Sequence, residues 1–273
     1  MSSDIGGDNS IKKILILAAN PKGTSRLRLD EEVREIEAGL KRAQKREQFD
    51  LKQYWAVRPR DVQQAMLDID PQIVHFSGHG AGDEGLVFED EVGRTKLISG
   101  KALAGLFRLF NQRVECVVLN GCYSEVQAEA IAQYIPSVIG MSQAIGDRAA
   151  VEFAVGFYNA LGAGRSVEFA YELGCNAIQI AGIAEHLVPN LYIEGDLVPS
   201  SGKKEIATHQ ANPHPDLTTS EPASQAKTSK IIWRIEFDIA EPDMSKLPEI
   251  LKTLQQLSGD PSLTLKRVKH SDR

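Results

Sequence analysis

Short apolar runs alternate with amphipathic helical patterns over about the first 193 residues, and this alternation restricts the fold more than any other feature of the sequence. The run Ile11–Ala19 has apolar residues on both faces, as a buried central strand requires. Val33, Ile36 and Leu40 follow at the spacing of one helical face. Strands that alternate with helices of this length form a mainly parallel sheet covered on both faces. The sequence therefore predicts an α/β domain.

The same alternation continues along the chain. Further strands are predicted at 49–57, 73–76, 114–119, 137–141 and near 191–193, with helices between most of them. Residues 86–88 and 95–97 flank an acidic turn and predict a small hairpin outside the main sheet. The helix after the 114–119 strand is marked by four residues, Val126, Ala130, Ile131 and Tyr134.

Composition divides the chain into four parts. Residues 1–10 are polar and rich in Gly, Ser and Asp, and predict a disordered N-terminal arm. The α/β domain occupies 11–195. Ser, Thr, Pro, Lys and Glu dominate 196–229, which predicts a flexible linker. Residues 230–273 have the pattern of a small βαβ module, near the lower size limit for independent folding, so we expect self-association or a protein partner there.

Charge and cysteine usage exclude several function classes. The formal net charge is −6, which does not favour binding to nucleic acid or to an anionic membrane. No apolar run is long enough to span a bilayer, and the first residues lack the features of a signal peptide. Three cysteines do not make a disulfide framework, so a reducing cytoplasm is the expected location.

Two predicted neighbouring strands end in small residues followed by a reactive side chain. Ile73 to Phe76 leads into SGHG, which contains His79, and Val114 to Leu119 leads into NGCYS, which contains Cys122. The carboxyl ends of parallel strands lie along one edge of a sheet, where open α/β folds bind their ligands. An imidazole and a thiol at that edge are the parts of a cysteine nucleophile and its base.

Each residue alone has an ordinary structural explanation. A histidine between glycines is often a turn residue, and a single cysteine is often a buried small hydrophobe. The pairing of His79 with Cys122, just before a predicted helix whose dipole favours a thiolate, favours catalysis instead. The backbone N–H groups of Gly80 and Cys122 are then the candidates for an oxyanion hole.

One further histidine and the two other cysteines are assigned to the core. His75 lies within its strand and is expected to be a packed, hydrogen-bonded residue, and Cys116 and Cys175 are expected to be inert. The spacing of the histidines and cysteines matches no metal-ligand pattern, so we predict no metal and no cofactor.

The segment from Ile14 to Tyr192 resembles the CHAT domain, a caspase-like family of cysteine peptidases related to separases. The matching motifs are AANP after the first strand, HFSGHG, LNGCYS, VIGM followed by Asp147, and FAVGFYNALGAG. The resemblance covers about two-thirds of the chain. It implies a caspase-like α/β/α sandwich and peptide-bond hydrolysis by a His79/Cys122 dyad. Many members have alanine where this chain has Gly121.

Two further expectations follow from resemblance. Caspase-like folds use loops near the fifth strand for the pocket that binds the residue before the scissile bond, which would give Asp147 a role in binding a basic substrate residue. The alternative is that Asp147 caps the helix that begins near Arg148. The C-terminal unit is similar to small effector-associated βαβ modules of multidomain prokaryotic, especially cyanobacterial, proteins.

These observations combine into one hypothesis with two alternatives. The chain is predicted to be a cytoplasmic cysteine endopeptidase that acts on polypeptides, tethered to an adaptor module and serving as a regulated signalling or conflict-response effector. The first alternative is a caspase-like scaffold without turnover. The second is a flavodoxin-like nucleotide-binding domain that uses the turn Pro21-Lys22-Gly23.

Overall fold

Seven strands form one sheet in the computed structural model, which describes residues 11–199. The strand order is β2-β1-β3-β6-β7-β8-β9, and a separate antiparallel pair, β4-β5, lies beside it. In the main sheet, β2, β1, β3, β6 and β7 are parallel to one another. Strand β8 is antiparallel to β7, and β9 is antiparallel to β8. The strands are β1 (Lys12–Ala19), β2 (Phe49–Trp55), β3 (Ile73–Gly78), β4 (Leu86–Glu89), β5 (Thr95–Ile98), β6 (Cys116–Asn120), β7 (Ser137–Met141), β8 (Pro189–Ile193) and β9 (Asp196–Val198).

Helices cover both faces of the sheet, so the predicted α/β/α sandwich is confirmed. Side chains from α1, α5 and α6 build one apolar cluster with alternate residues of the strands. The opposite cluster is built by α2, α3, α4 and the hairpin β4-β5. The helices are α1 (Leu29–Arg42), α2 (Pro59–Ile69), α3 (Gly100–Leu109), α4 (Glu125–Ala132), α5 (Asp147–Gly162) and α6 (Val167–Ile180).

Strand β1 shows how the sequence pattern produces the two layers. Leu15 and Leu17 point into one cluster, while Ile14 and Ile16 point into the other. Successive side chains of a strand alternate between faces, so an unbroken apolar run places a hydrophobic residue in each core. All four side chains are buried. The predicted central strand is therefore confirmed.

The helix predicted after β6 is confirmed as α4, but the residues that mark it are not all buried. Ile131 is fully buried, but Val126 and Tyr134 are 44% and 41% exposed. The helix instead buries Gln127, whose Nε2 donates to the carbonyl of Gly82, 2.7 Å away. This polar contact joins the buried side of α4 to the loop after β3.

The predicted start of the linker at residue 196 is also corrected. Asp196–Val198 forms β9, which pairs with β8 through a tight turn. Both turn residues, Glu194 and Gly195, have positive φ, as a two-residue hairpin of this kind requires. The predicted arm at 1–10, the rest of the linker and the βαβ module at 230–273 lie outside the described residues. Within 11–199, no helix has the length and apolar character needed to cross a bilayer.

Candidate active site

The two predicted reactive residues follow neighbouring strands of the sheet. Strands β3 and β6 are parallel and hydrogen-bonded, and Ser77 pairs with Asn120 at the last position of their register. His79 lies two residues beyond Ser77, and Cys122 lies two residues beyond Asn120. The structure thus brings His79 and Cys122 to the same edge of the sheet, and both line one cleft.

The two loops contact each other through their backbones, which explains the glycines in both motifs. A Cβ atom on Gly80 would lie 2.0 Å from the carbonyl oxygen of Cys122, and one on Gly121 would lie 2.7 Å from the carbonyl oxygen of Gly78. Side chains at these positions would push the loops apart. The alanine that many CHAT domains have at position 121 would therefore require a backbone shift in this chain.

The His79 ring is held by a backbone carbonyl. Its Nε2 lies 2.8 Å from the carbonyl oxygen of Ser25, in the loop between β1 and α1. A carbonyl oxygen only accepts hydrogen bonds, so Nε2 carries the proton. In the neutral ring Nδ1 is then the basic nitrogen. The sequence cannot predict this contact, because every residue has a backbone carbonyl whatever its side chain.

The Cys122 thiol is partly buried and contacts the loop after β7. It donates to the carbonyl of Ile145 at 3.5 Å and lies 3.4 Å from the backbone nitrogen of the same residue. The next residue, Tyr123, has φ of +54°, a conformation rare for a residue with a side chain. Within the described residues no hydrogen bond joins the side chains of His79 and Cys122.

The backbone donors predicted for an oxyanion hole are unengaged. Within residues 11–199, the N–H groups of Gly80 and Cys122 donate no hydrogen bond to a backbone carbonyl. Neighbouring amides are engaged: that of Ala81 donates to Gly85 and that of Tyr123 donates to Gln143. An oxyanion hole needs backbone donors that are free of other hydrogen bonds, and these two amides meet that condition.

Asp147 lines the same cleft as His79 and Cys122. It is the first residue of α5, whose N-cap is Gly146, so the alternative in which Asp147 caps this helix is wrong. The backbone amide of Gly146 instead donates to Glu185 at 2.7 Å. One Asp147 oxygen lies 3.9 Å from the Nε of Arg28, which also lines the cleft.

A buried acid that the sequence analysis missed lies beneath the two loops. Glu32 of α1 is 3% exposed and lines the floor of the cleft. It accepts hydrogen bonds from Asn120, His75 and Ser77. Its position four residues before Ile36 places it on the apolar face of α1, and an acid on that face was the signal that could have identified it.

His75 and Cys116 lie in the core as predicted, whereas Cys175 is only partly buried. His75 is fully buried and bonded to Glu32 and Tyr158, so its structural assignment is confirmed. Burial raises the pKa of both Cys116 and Cys175 to about 12. Such thiols are protonated at neutral pH and are poor nucleophiles.

Comparisons with known proteins point to one family. The family model of the CHAT domain matches residues 4–171. A Roc-COR-CHAT protease from an unidentified prokaryote is 27% identical over 177 residues, and a probable protease from Gillisia limnaea (strain DSM 15749 / LMG 21470 / R-8282) is 25% identical over 177 residues. These matches cover 62% and 63% of this chain, but only 16% and 31% of the relatives.

A solved structure shares the fold. It is a secreted C11 cysteine protease from Bacteroides thetaiotaomicron in complex with an irreversible peptide inhibitor, with a TM-score of 0.52 and 13% identity. The similarity covers 68% of this chain and 66% of the other. The caspase-like architecture predicted from the sequence is therefore confirmed. With the family match over more than half of its length, this chain belongs to the CHAT domain family.

Proposed function

We propose that this chain is a cysteine endopeptidase in which Cys122 is the nucleophile and His79 is the general base. The observation that carries the proposal is the shared cleft: it contains a partly buried thiol and an imidazole whose Nε2–H is engaged by the Ser25 carbonyl. That contact leaves Nδ1 as the basic nitrogen of the neutral ring. The protease names of the relatives give independent support.

The proposed reaction has two stages, formation of a thioester on Cys122 and its hydrolysis, and His79 transfers protons in both. His79 Nδ1 takes the proton of the Cys122 thiol as the sulfur attacks the scissile carbonyl carbon. The amides of Gly80 and Cys122 donate to the resulting oxyanion. His79 then gives its proton to the leaving amine, and the carbon–nitrogen bond breaks to leave a thioester. Water, deprotonated by His79, hydrolyses the thioester and regenerates the thiol.

The Cys122 thiol must leave Ile145 before it can transfer its proton. Its contacts with the Ile145 backbone are 3.4 and 3.5 Å long, which for sulfur are weak interactions. A rotation of the side chain therefore costs little. Hydrogen bonds between catalytic groups commonly tighten only when a substrate fills the site.

Asp147 is proposed to bind a basic side chain of the substrate. Its carboxylate lines the cleft, and its separation of 3.9 Å from the Arg28 Nε shows that a guanidinium can approach it. Arg28 itself is engaged by Glu31 at 2.8 Å and its side chain is half exposed. A substrate lysine or arginine would therefore compete with a weak, solvent-screened pair.

The wider role is proposed from the layout of the whole sequence. A regulated signalling or conflict-response effector in a reducing compartment fits a free thiol nucleophile joined to a small adaptor module. Tethering would raise the local concentration of the peptidase around the partner or second copy that the module binds.

Peptide cleavage by the purified 273-residue chain tests both assignments. A library of denatured proteins is incubated with wild type, Cys122→Ala and Asp147→Asn, and the new termini are mapped by mass spectrometry. We expect cleavage by wild type, a loss of about 1,000-fold or more in Cys122→Ala, and a weaker preference for Lys and Arg before the cut in Asp147→Asn. An unchanged preference in Asp147→Asn would contradict its assignment.

The scaffold alternative predicts a different result. A peptide-based acylating probe would then fail to label Cys122, even when the presumed partner is supplied in a cell extract. The nucleotide-binding alternative has less support, because the Lys22 ammonium donates to Val92 at 3.2 Å and its backbone amide donates to Gly93 at 2.8 Å. A thermal shift with ATP, FMN or NAD that is lost in Lys22→Ala would favour that alternative.

A further inference from the structure

Glu32 is a buried carboxylate that the proposed reaction does not use. It lies in the first turns of α1 and is 3% exposed. Its Oε1 accepts from Asn120 Nδ2 at 2.6 Å and from His75 Nε2 at 2.9 Å, and its Oε2 accepts from the hydroxyl of Ser77. A carboxylate without such partners would be costly to bury. The three side chains around Glu32 supply hydrogen bonds that offset this cost.

Two of these donors occupy special positions in the sheet. Ser77 and Asn120 are register partners at the carboxyl ends of β3 and β6. His79 follows Ser77 by two residues and Cys122 follows Asn120 by two residues. One carboxylate therefore binds both strands immediately before the loops that carry the two reactive side chains.

The bond to Asn120 also restricts that side chain. The same Nδ2 donates to the carbonyl of Ala150 in α5, 3.1 Å away, while Asn120 Oδ1 is buried and has no hydrogen-bond partner among residues 11–199. An amide whose oxygen is unpaired depends on its two donated bonds to stay in place. Without Glu32, the last residue of β6 would keep only one of them.

We propose that Glu32 is a positioning residue that sets the distance between His79 and Cys122 by joining the ends of β3 and β6. The inference rests on the proposed peptidase function. Glu32 does not touch the reacting atoms, so it acts through Ser77 and Asn120. Charge-assisted hydrogen bonds suit this role, because they are short and strong enough to restrict the two loops.

A general contribution to stability is the competing explanation, and the chain offers a control for it. The His75 side of the network leads away from the loops, to the fully buried hydroxyl of Tyr158, 3.2 Å from His75 Nδ1. Tyr158→Phe removes a buried hydrogen bond of the same network but leaves Ser77 and Asn120 bound to Glu32. Glu37→Ala provides the same type of substitution on the outer side of α1, where Glu37 pairs with Lys41 at 2.8 Å.

The first test measures steady-state peptide hydrolysis by the full-length variants well below their melting temperatures. We expect Glu32→Ala to lower kcat about 100-fold with little change in KM, because misplacing a catalytic group by about 1 Å has an effect of this size. Tyr158→Phe should lower the melting temperature but keep kcat within about threefold of wild type. Glu37→Ala should change neither. A folded Glu32→Ala variant with wild-type kcat would overturn the proposal.

The second test does not depend on proteolysis. Hydrogen–deuterium exchange should rise together in residues 76–82 and 118–124 of Glu32→Ala, and not in those segments of Tyr158→Phe. If wild type hydrolyses no peptide, the proposed function fails, but the exchange pattern still decides whether Glu32 restrains both loops. Equal exchange in the two variants would overturn the positioning role.

A milder variant covers the case in which Glu32→Ala does not fold. Ser77→Ala removes one bond to Glu32 and leaves those from His75 and Asn120 in place. We expect a loss of about tenfold in kcat and faster exchange in the loop after β3. Wild-type values for both quantities in this variant would contradict the proposal.

Discussion

At the scale of single residues, the three cysteines have very different environments. Cys122 is partly buried and lines the cleft, whereas Cys116 is fully buried within β6. Cys175 is partly buried on α6, where desolvation is the main cause of its raised pKa. Reactivity of a thiol follows its thiolate fraction and its access to solvent. The environment, rather than the residue type, therefore distinguishes the candidate nucleophile from the other two.

This difference predicts the order of alkylation. Iodoacetamide at pH 8 should modify Cys122 about 100-fold faster than Cys116 or Cys175, because the pKa of each of the latter is raised to about 12 by burial. Peptide mass mapping after short exposures measures the three rates. Denatured protein serves as the control and should react at all three positions. Fast modification of Cys116 in the folded protein would contradict the prediction.

At the scale of elements, an ion pair between Arg58 and Asp61 stabilises the start of α2. Arg58 donates from its backbone amide and from its guanidinium to Asp61, over distances of 2.7 to 3.0 Å. Pro59 begins the helix, where its missing N–H costs nothing. The guanidinium of Arg58 is the main cause that lowers the pKa of Asp61 below its usual value.

The lowered pKa predicts how stability changes with pH. A carboxyl whose pKa is lower in the folded than in the unfolded state stabilises the fold above the unfolded value of about 3.9. That contribution is lost as the pH falls through the lower, folded-state pKa. Asp61→Asn should therefore reduce the free energy of unfolding by about 1 kcal/mol at pH 7, and the difference from wild type should shrink below about pH 4.

Urea unfolding at pH 7 and at pH 3 measures this difference. Asp68→Asn is the matched control, because Asp68 lies near the other end of α2 and, within the described part of the chain, accepts only from the exposed Gln64, at 2.7 Å. It should change stability little at either pH. A constant deficit for Asp61→Asn across the pH range would exclude the ionised carboxylate as its cause.

At the scale of the whole molecule, both hydrophobic clusters are built within the described residues. Each face of the sheet has its own set of helices, and the largest buried side chains, among them Phe76, Phe153 and Tyr158, lie inside these clusters. An α/β domain of this length buries enough surface to fold independently.

A fragment of residues 11–199 should therefore fold alone. We expect a single cooperative thermal transition within about 5 °C of the corresponding transition in the full chain. The rate of Cys122 alkylation should also match that of the full chain. Differential scanning calorimetry and peptide mapping provide the two measurements. An unfolded fragment, or one whose Cys122 reacts at the rate of denatured protein, would show that residues outside 11–199 complete the domain.

The sequence by itself determined the layered α/β fold, the positions of nearly all its helices and strands, and the meeting of His79 and Cys122 at one sheet edge. These features follow from local periodicity and from the way parallel strands connect. Only the tertiary structure decided that the Ser25 carbonyl holds His79, that Glu32 joins Ser77 to Asn120, and that β8 runs antiparallel to β7. Contacts between distant segments form only where packing brings the two groups together. No periodicity in the sequence predicts them.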